Sequence, residues 1–355
     1  MPNSGQVSGT RDQGPGLPRP SRTVAEVGEH AIIERIRSRL GPTPDWLLVD
    51  AGDDAAVYEA PRNLVEVITT DAVVDGVHVD RRFVPPAAIG HRALAVNLSD
   101  LAAMGAMPRL ATLSLALPSD FPTDDLDELI EGLLALAART RTRLVGGNVT
   151  SIAGPLVVDV TAIGHAHRRR VLTRAGARPG DYVFVSGTLG DARAGLANLR
   201  IRGDGRASAA LHPVARYLHP EPRLRLGHLL ARHKAATSAI DLSDGLADGL
   251  THIVRASGLG VEIDAATMPM HPDTVAAVQA AGRDPVREAL AGGDDYELLF
   301  TAPAKRKGPL RAVERLVDGL RLTRIGVVTR TPGVAIIHPD GRREAVTGGY
   351  EHFVS

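Results

Sequence analysis

One segment, residues 86–104, constrains this chain more than any other. Ala93, Leu94, Ala95, Val96, Leu98, Leu101, Ala102 and Ala103 leave no polar stripe at helical spacing, so the helix predicted here, closed by Gly105, must be covered on nearly every side. Asp100 lies inside it. A buried carboxylate needs a partner, and Asn97, about one turn away, is neutral, so the position points to a metal ion. The 355 residues are too many for one ordinary core and suit two domains.

The periodicity around that helix predicts an α+β chain. Residues 1–21 hold four glycines and four prolines without apolar periodicity and read as a disordered leader. A helix is expected over 23–40, then strands over 55–58 and 64–70, and a loop carrying Asp71, Asp75 and His78. Strand 110–117, helix 123–140, a short strand at Leu144 and strand 156–163 complete a first unit, 22–168. After the basic run Arg168–Arg170 the alternation of strands and helices restarts and gives a second unit, 169–355, with a boundary near residue 170.

Composition removes several function classes. Forty-one basic residues balance forty-one acidic ones and aromatics make up 3%, which is neither the charge nor the stacking surface of a nucleic-acid binder. The longest apolar runs, such as 110–117, are far too short for a membrane-spanning helix. There is no cysteine, hence no disulfide or thiolate chemistry, and no secretory-signal pattern, so a cytoplasmic location is expected. Lysine occurs only at Lys234, Lys305 and Lys307, and neither a P-loop nor a protein-kinase lysine strand is present. If this chain binds phosphates, metal and arginine must neutralise them.

Acidic residues cluster at five turns: Asp53 with Asp54, Asp71 with Asp75 after Thr69 and Thr70, Asp100 after Asn97 and Ser99, Asp241 and Asp244 around Ser243, and Asp294 with Asp295. Several follow a strand directly, where α/β sheets place ligands. Magnesium takes hard oxygen ligands, commonly one or two carboxylates completed by phosphate and water, and adjacent glycines allow close backbone approach. Each cluster read alone is equally compatible with ordinary turn and N-cap chemistry. His78 is either a substrate contact or an exposed loop residue. His165 and His167 share one strand face but lack a third ligand nearby in sequence. Arg174 stands at the domain junction, where a guanidinium could clamp a triphosphate.

Together these segments resemble the thiamine-monophosphate kinase family, part of the superfamily that also holds aminoimidazole ribonucleotide synthetase and selenophosphate synthetase. The matching stretches are GDDAAV from Gly52, TTDAVVDGVHV from Thr69, ALAVNLSDLAAMGAMP from Ala93, LTRAGARPGD from Leu172, HPEPRL from His219, AIDLSDGLADGL from Ala239, GGDDYELLFT from Gly292 and GYEHF from Gly349. They run in family order from about residue 25 onward. The cysteine or selenocysteine and the N-terminal lysine usual in selenophosphate synthetase are missing.

The resemblance implies two α/β domains, pairing of the N-terminal domains in a homodimer, and ATP near that interface. It implies transfer of the γ-phosphoryl of ATP to thiamine monophosphate with Mg2+ and without a general base, since the acceptor phosphate is already anionic. By matching position, Asp54, Thr69, Thr70, Asp71, Asp100 and Asp241 would hold magnesium and Asp244 a further ion. Gly147, Arg174 and Ser243 would contact ATP, and His78 and Asp294 the thiamine substrate. Three positions depart from the family pattern. Asn148 stands where a carboxylate ligand is common and would offer its amide oxygen to metal and ATP. Asp294 replaces a glutamate, and Thr347, on the substrate side, replaces an aromatic residue of some members. Two alternatives stay open: an ATP-dependent ring-closing synthetase of the same superfamily, and a nucleotide-binding dimer without catalysis.

Overall fold

A computed structural model describes residues 22–305 and 307–346. The leader expected over 1–21, Thr347 and the GYEHF segment lie outside the described residues. The chain begins with α1 (Val24–Val27) and α2 (Glu29–Arg37), followed by a ribbon of β1 (Leu47–Val49) and β2 (Val57–Tyr58). Then come β3 (Val65–Val74), α3 (Pro86–Ala103), β4 (Met107–Pro118), α4 (Thr123–Thr140), β5 (Arg143–Ile152) and β6 (Val157–Ala166). The helix expected over 23–40 is two pieces. Thr23 and Glu26 form a reciprocal capping box on the first, and Gly28, at φ 78°, ends it and starts the second.

The second part holds β7 (Tyr182–Ser186), α5 (Asp191–Arg202), α6 (Gly205–Ser208), α7 (His212–Leu218) and α8 (Leu224–His233). It continues with β8 (Ser238–Asp241), α9 (Leu246–Ser257), β9 (Gly260–Asp264), α10 (Pro272–Ala280), α11 (Pro285–Ala291) and β10 (Leu298–Ala302). It closes with α12 (Lys307–Leu316), β11 (Leu322–Thr329), β12 (Gly333–Ile337) and β13 (Arg343–Ala345). Among the described residues no helix is long and apolar enough to cross a membrane.

Two mixed sheets organise these elements. The first has the order β3-β6-β4-β5, with β4 and β5 parallel and the other pairs antiparallel. β3 pairs with β6 along its full length, from Val65 opposite Ala166 to Val74 opposite Val157, and this carries Asp71 inside the strand instead of the expected loop. β5 is likewise a full ten-residue strand, because β4 offers it a parallel partner from Leu110 to Pro118. The second sheet has seven strands in the order β13-β12-β9-β11-β7-β10-β8, antiparallel except for β12 beside β9.

Helix α3 lies where the two parts meet, against β3, β6 and α4 of the first and α8 and β8 of the second. This is why its sequence has no polar stripe: Leu94, Leu98, Leu101 and Ala102 are fully buried in a core that runs on into Leu226, Leu230, Leu298 and Phe300. A Cβ added at Gly227 of α8 would meet the Ala102 carbonyl oxygen at 1.9 Å, so the two helices touch backbone to backbone. Truncating Leu98 to alanine would cost about 2–5 kcal/mol at such a site. A second core lies within the second part, where Ile240, Leu250, Ile253 and Leu299 meet.

The four-stranded sheet is covered unequally. Val158, Val160 and Ala162 of β6 are buried, whereas Asp159 and Thr161 alternate with them and remain partly exposed. On that second face Ile68 is 68% exposed. Only one end is closed, by Leu47 and Trp46 of the ribbon packing with Leu110, Val145 and Ile163.

Candidate active site

The site forms where α3 passes between the strand ends of the two parts. Asp100, one turn before the helix C-terminus, accepts a 2.5 Å hydrogen bond from the Thr69 hydroxyl of β3. One residue earlier, the Ser99 hydroxyl donates to Asp241 at the end of β8, at 2.7 Å. The helix thus brings two carboxylates 141 residues apart in sequence into one cleft, and Asp71, two residues after Thr69 on the same side of β3, joins them.

Their electrostatics show what is missing. Asp71 is exposed as a residue, yet its carboxyl is closed in enough that desolvation, then repulsion from Asp100, Asp159 and Asp244, pushes it up to about 6. Burial, then Asp100 and Asp71, pushes Asp241 up to about 7 against the pull of the Ser99 hydrogen bond. None of these three carboxylates has an arginine, lysine or histidine partner among the described residues; Thr69 bonds Asp100, Ser99 bonds Asp241, and Asp71 shares a hydrogen bond with Asp100. No three acidic or histidine side chains of the described residues enclose an ion by themselves. The donors present are carboxylate and hydroxyl oxygens, the type that hard cations such as magnesium take together with phosphate and water.

Asp244 follows in the turn before α9, where its carboxylate accepts from the Ser243 hydroxyl at 2.7 Å. Arg174 stands beside the same helix: its guanidinium lies 3.4 Å from His252, which pairs in turn with Asp248 at 3.2 Å. Desolvation raises Asp248, with Asp244 adding to the rise while His252 and Arg174 oppose it. Arg174 is therefore an exposed cation at the rim of the acidic cleft.

The loop after α11 holds two residues in left-handed backbone, Asp294 at φ 69° and Tyr296 at φ 49°. Each costs about 1–2 kcal/mol for a residue with a side chain. Hydrogen bonds from Asp294 N–H to the Ser243 carbonyl (2.7 Å) and from Tyr296 N–H to the Leu242 carbonyl (3.0 Å) hold them there. The loop is thereby laced to the Asp241–Asp244 turn. Asp294 also accepts from Arg92 of α3 at 2.7 Å and from the Tyr296 hydroxyl at 3.2 Å. Arg92 is fully buried, bonds the Tyr217 carbonyl and lies 4.5 Å over the Tyr217 ring. The Tyr217 hydroxyl reaches the His78 carbonyl at 3.2 Å. Burial and Asp294, with smaller contributions from Asp241 and Asp71, push the Tyr296 phenol upward, while Arg92 opposes the rise.

The structure does not gather every predicted residue. Thr70 points to the other face of its strand, where its hydroxyl bonds Asp159 and the Val160 carbonyl. Asp54 is exposed in the loop before β2, and its carboxylate makes no hydrogen bond or ion pair among the described residues. Gly147 and Asn148 lie exposed on β5, three strands from β3 and so about 14 Å from it across the sheet. Gly147 has no room for a side chain, because a Cβ there would meet the Leu113 carbonyl at 1.8 Å. Thr347 lies outside the described residues. Conversely, sequence reasoning passed over Arg92, Asp159, Tyr217 and Tyr296, and it named Ser99 without giving it a role. A signal existed for Arg92: a charge within an all-apolar helix, the same argument that singled out Asp100.

Comparison with known proteins agrees with this geometry. Residues 52–166 match the family model "AIR synthase related protein, N-terminal domain" and residues 178–339 the corresponding C-terminal domain. The thiamine-monophosphate kinase of Escherichia coli (strain K12) is 40% identical over 337 residues, covering 92% of this chain and 99% of that protein. A crystal structure of thiamine-monophosphate kinase from Stenotrophomonas maltophilia K279a, 39% identical, superimposes with a TM-score of 0.74 over 88% of this chain and 95% of that one. A structure described as AaThiL complexed with AMPPCP and TMP, 33% identical, gives 0.73 over 92% and 98%. A chain matched in both halves, at this identity and over nearly its whole length, belongs to the thiamine-monophosphate kinase family.

Proposed function

We propose that this protein phosphorylates thiamine monophosphate to thiamine diphosphate with ATP, in one direct transfer supported by Mg2+. The observation that carries the reading is the set Asp71, Asp100 and Asp241: buried or closed-in carboxylates that repel one another and face hydroxyls but no protein cation. When bound there, Mg2+ supplies the charge neutralisation that lets two phosphate groups approach.

The remaining work falls to the chain. Asp71, Asp100 and Asp241, steered by Thr69 and Ser99, would hold the metal, with Asp244 at the edge for a further ion. Arg174 would take charge from the polyphosphate. Asp294, locked by Arg92 and Tyr296, and His78, tied to Tyr217, would position the thiamine substrate. No general base is needed, because the acceptor phosphate is already anionic and alignment is the main requirement.

Gly147 and Asn148 sit on the partly exposed sheet face, away from the aspartates. This supports a homodimer in which a second sheet covers that face and ATP lies near the interface, with the Asn148 amide in place of a carboxylate. A cytoplasmic setting is part of the same proposal.

The deciding measurement is ADP release by the purified protein with ATP, Mg2+ and thiamine monophosphate, each omitted in turn, with the product identified by chromatography. Thiamine diphosphate formed only in the complete mixture supports the proposal. ATP binding without that product would refute it.

A further inference from the structure

Two clefts among the described residues lie away from the Asp71–Asp100–Asp241 cluster, and both are lined by arginines. In the first, of about 350 Å3, between the segment before α3 and the turn before α6, the cations are already spent. Arg82 pairs with Asp80, Arg206 with Glu128, and Arg81 faces Asp125 at 3.9 Å. The second, of about 180 Å3, opens where β3 and β4 begin, β6 ends and α8 passes by. Its lining includes His165, His167, Arg170, His228 and Arg232 and contains no acidic residue.

Neither Arg170 nor Arg232 forms an ion pair among the described residues. The Nδ1 of His165 is buried without a protein hydrogen-bond partner. Glu66, opposite His165 in the strand register, is engaged with the Tyr58 hydroxyl. After desolvation, Arg109, His228 and His167 hold the His165 imidazole below its usual range. The same holds for His228, which feels Arg232, His167, Arg170 and His233. The three imidazoles do not form a metal-holding group. A pocket that concentrates uncompensated positive charge and imidazole donors is built to receive an anion.

We infer that this cleft is a second phosphoryl-binding site, distinct from the active site, in which Arg170, Arg232, His165, His167 and His228 hold one phosphate or diphosphate group. Its volume equals that of about six waters, enough for such a group and too small for a nucleotide. Glu66 marks its level on β3, and Asp71 lies five residues farther along, about 17 Å away at the rise of an extended strand. Arg232 lies on the helix that packs backbone to backbone on α3 through Gly227.

Calorimetric titration of the full chain with inorganic phosphate and with pyrophosphate, without Mg2+ or nucleotide, tests the site. Saturable binding is expected that weakens at least tenfold in Arg232→Gln and in the double variant Arg170→Gln/His228→Gln. Arg232→Lys, which keeps the charge, should retain most of it, and Asp71→Asn should leave it intact. Both glutamine variants should keep wild-type circular dichroism and kinase activity at saturating substrates. Tighter pyrophosphate binding would identify a diphosphate terminus as the occupant, and tighter phosphate binding a free phosphate or a monoester. Absence of binding at millimolar anion, or binding unchanged in folded glutamine variants, would overturn the inference.

Discussion

Two groups of carboxylates are brought close together in this protein, and they differ in whether arginines face them. Under the 292–297 segment, Glu297 is fully buried and accepts from the Ser186 hydroxyl (2.5 Å), Arg216 (2.7 Å) and Arg223 (2.6 Å). Its neighbour Asp295 accepts backbone N–H bonds from Gly190 (2.7 Å) and Ala192 (3.1 Å). In the cleft beside α3, Asp71, Asp100 and Asp241 have hydroxyl partners and one another. Glu297 is matched by two arginines and serves the fold, whereas burial and the neighbouring Asp191 push Asp295 up to about 8 against its two backbone N–H bonds and Arg216. The second holds mutually repelling carboxylates with no protein cation among the described residues, and the proposed Mg2+ site rests on that charge pattern.

The contrast can be broken from either side. The largest effect is expected from Glu297→Ala, which strands Arg216 and Arg223 and should cost about 3–5 kcal/mol in denaturant unfolding; a loss below 1 kcal/mol would show that Glu297 is not the keystone of its network. Next comes Asp71→Asn, which should lower thiamine-monophosphate-dependent ADP release by about 10²–10³-fold. Because it removes repulsion, it should leave the unfolding midpoint unchanged or raised. Retained activity would remove Asp71 from the proposed metal set.

A third test uses a group kept neutral on the same helix. Burial, and the positive charges of His219, Arg139 and Arg92, hold His91 down at about 4, although its bond to the Pro220 carbonyl acts the other way. Its folded value lies below the unfolded 6.5, so its contribution is full above pH 6.5 and is lost as pH falls from 6.5 towards 4. The loss is up to about 3 kcal/mol. His91→Gln, which keeps a donor for Pro220, should flatten the pH dependence of the unfolding midpoint between pH 7 and 4.5; an identical slope would contradict the assignment.

Smaller effects sharpen the picture. Mg2+ at a hundredfold excess over its dissociation constant should stabilise the protein by about 2.7 kcal/mol. Its effect on the thermal midpoint should vanish in Asp241→Asn, whereas an equal rise in that variant would place the ion elsewhere. Tyr296→Phe, which removes one 3.2 Å bond to Asp294, should cost about 1 kcal/mol. The loss should appear in KM for thiamine monophosphate rather than in KM for ATP.

Much of the fold was legible because its signals are local. The helix at Thr123–Thr140 falls at the expected residues, since it carries its own periodicity and boundary residues. The loop assigned to Asp71 became strand because pairing with β6 continues four residues past the apolar pattern. The turn-based reading of the carboxylates brought Asp71, Asp100, Asp241 and Asp244 to attention, but it treated Thr69 and Thr70 alike, although neighbours in a strand face opposite ways. It also could not find Asp159, whose relation to Thr70 exists only through the register of β3 and β6.

By itself the sequence determined that α3 is buried on all sides, that a carboxylate lies within it, and that eight ordered motifs match one kinase family, because composition and spacing are properties of neighbouring residues. Only the tertiary structure decided that Arg92 locks Asp294 across 202 residues, that Ser99 and Thr69 steer two aspartates into one cleft, and that five basic side chains from β6, its following turn and α8 share an acid-free pocket. Such pairings depend on which surfaces meet when the two parts close on α3, and charge carries no mark in the chain of the partner it will find.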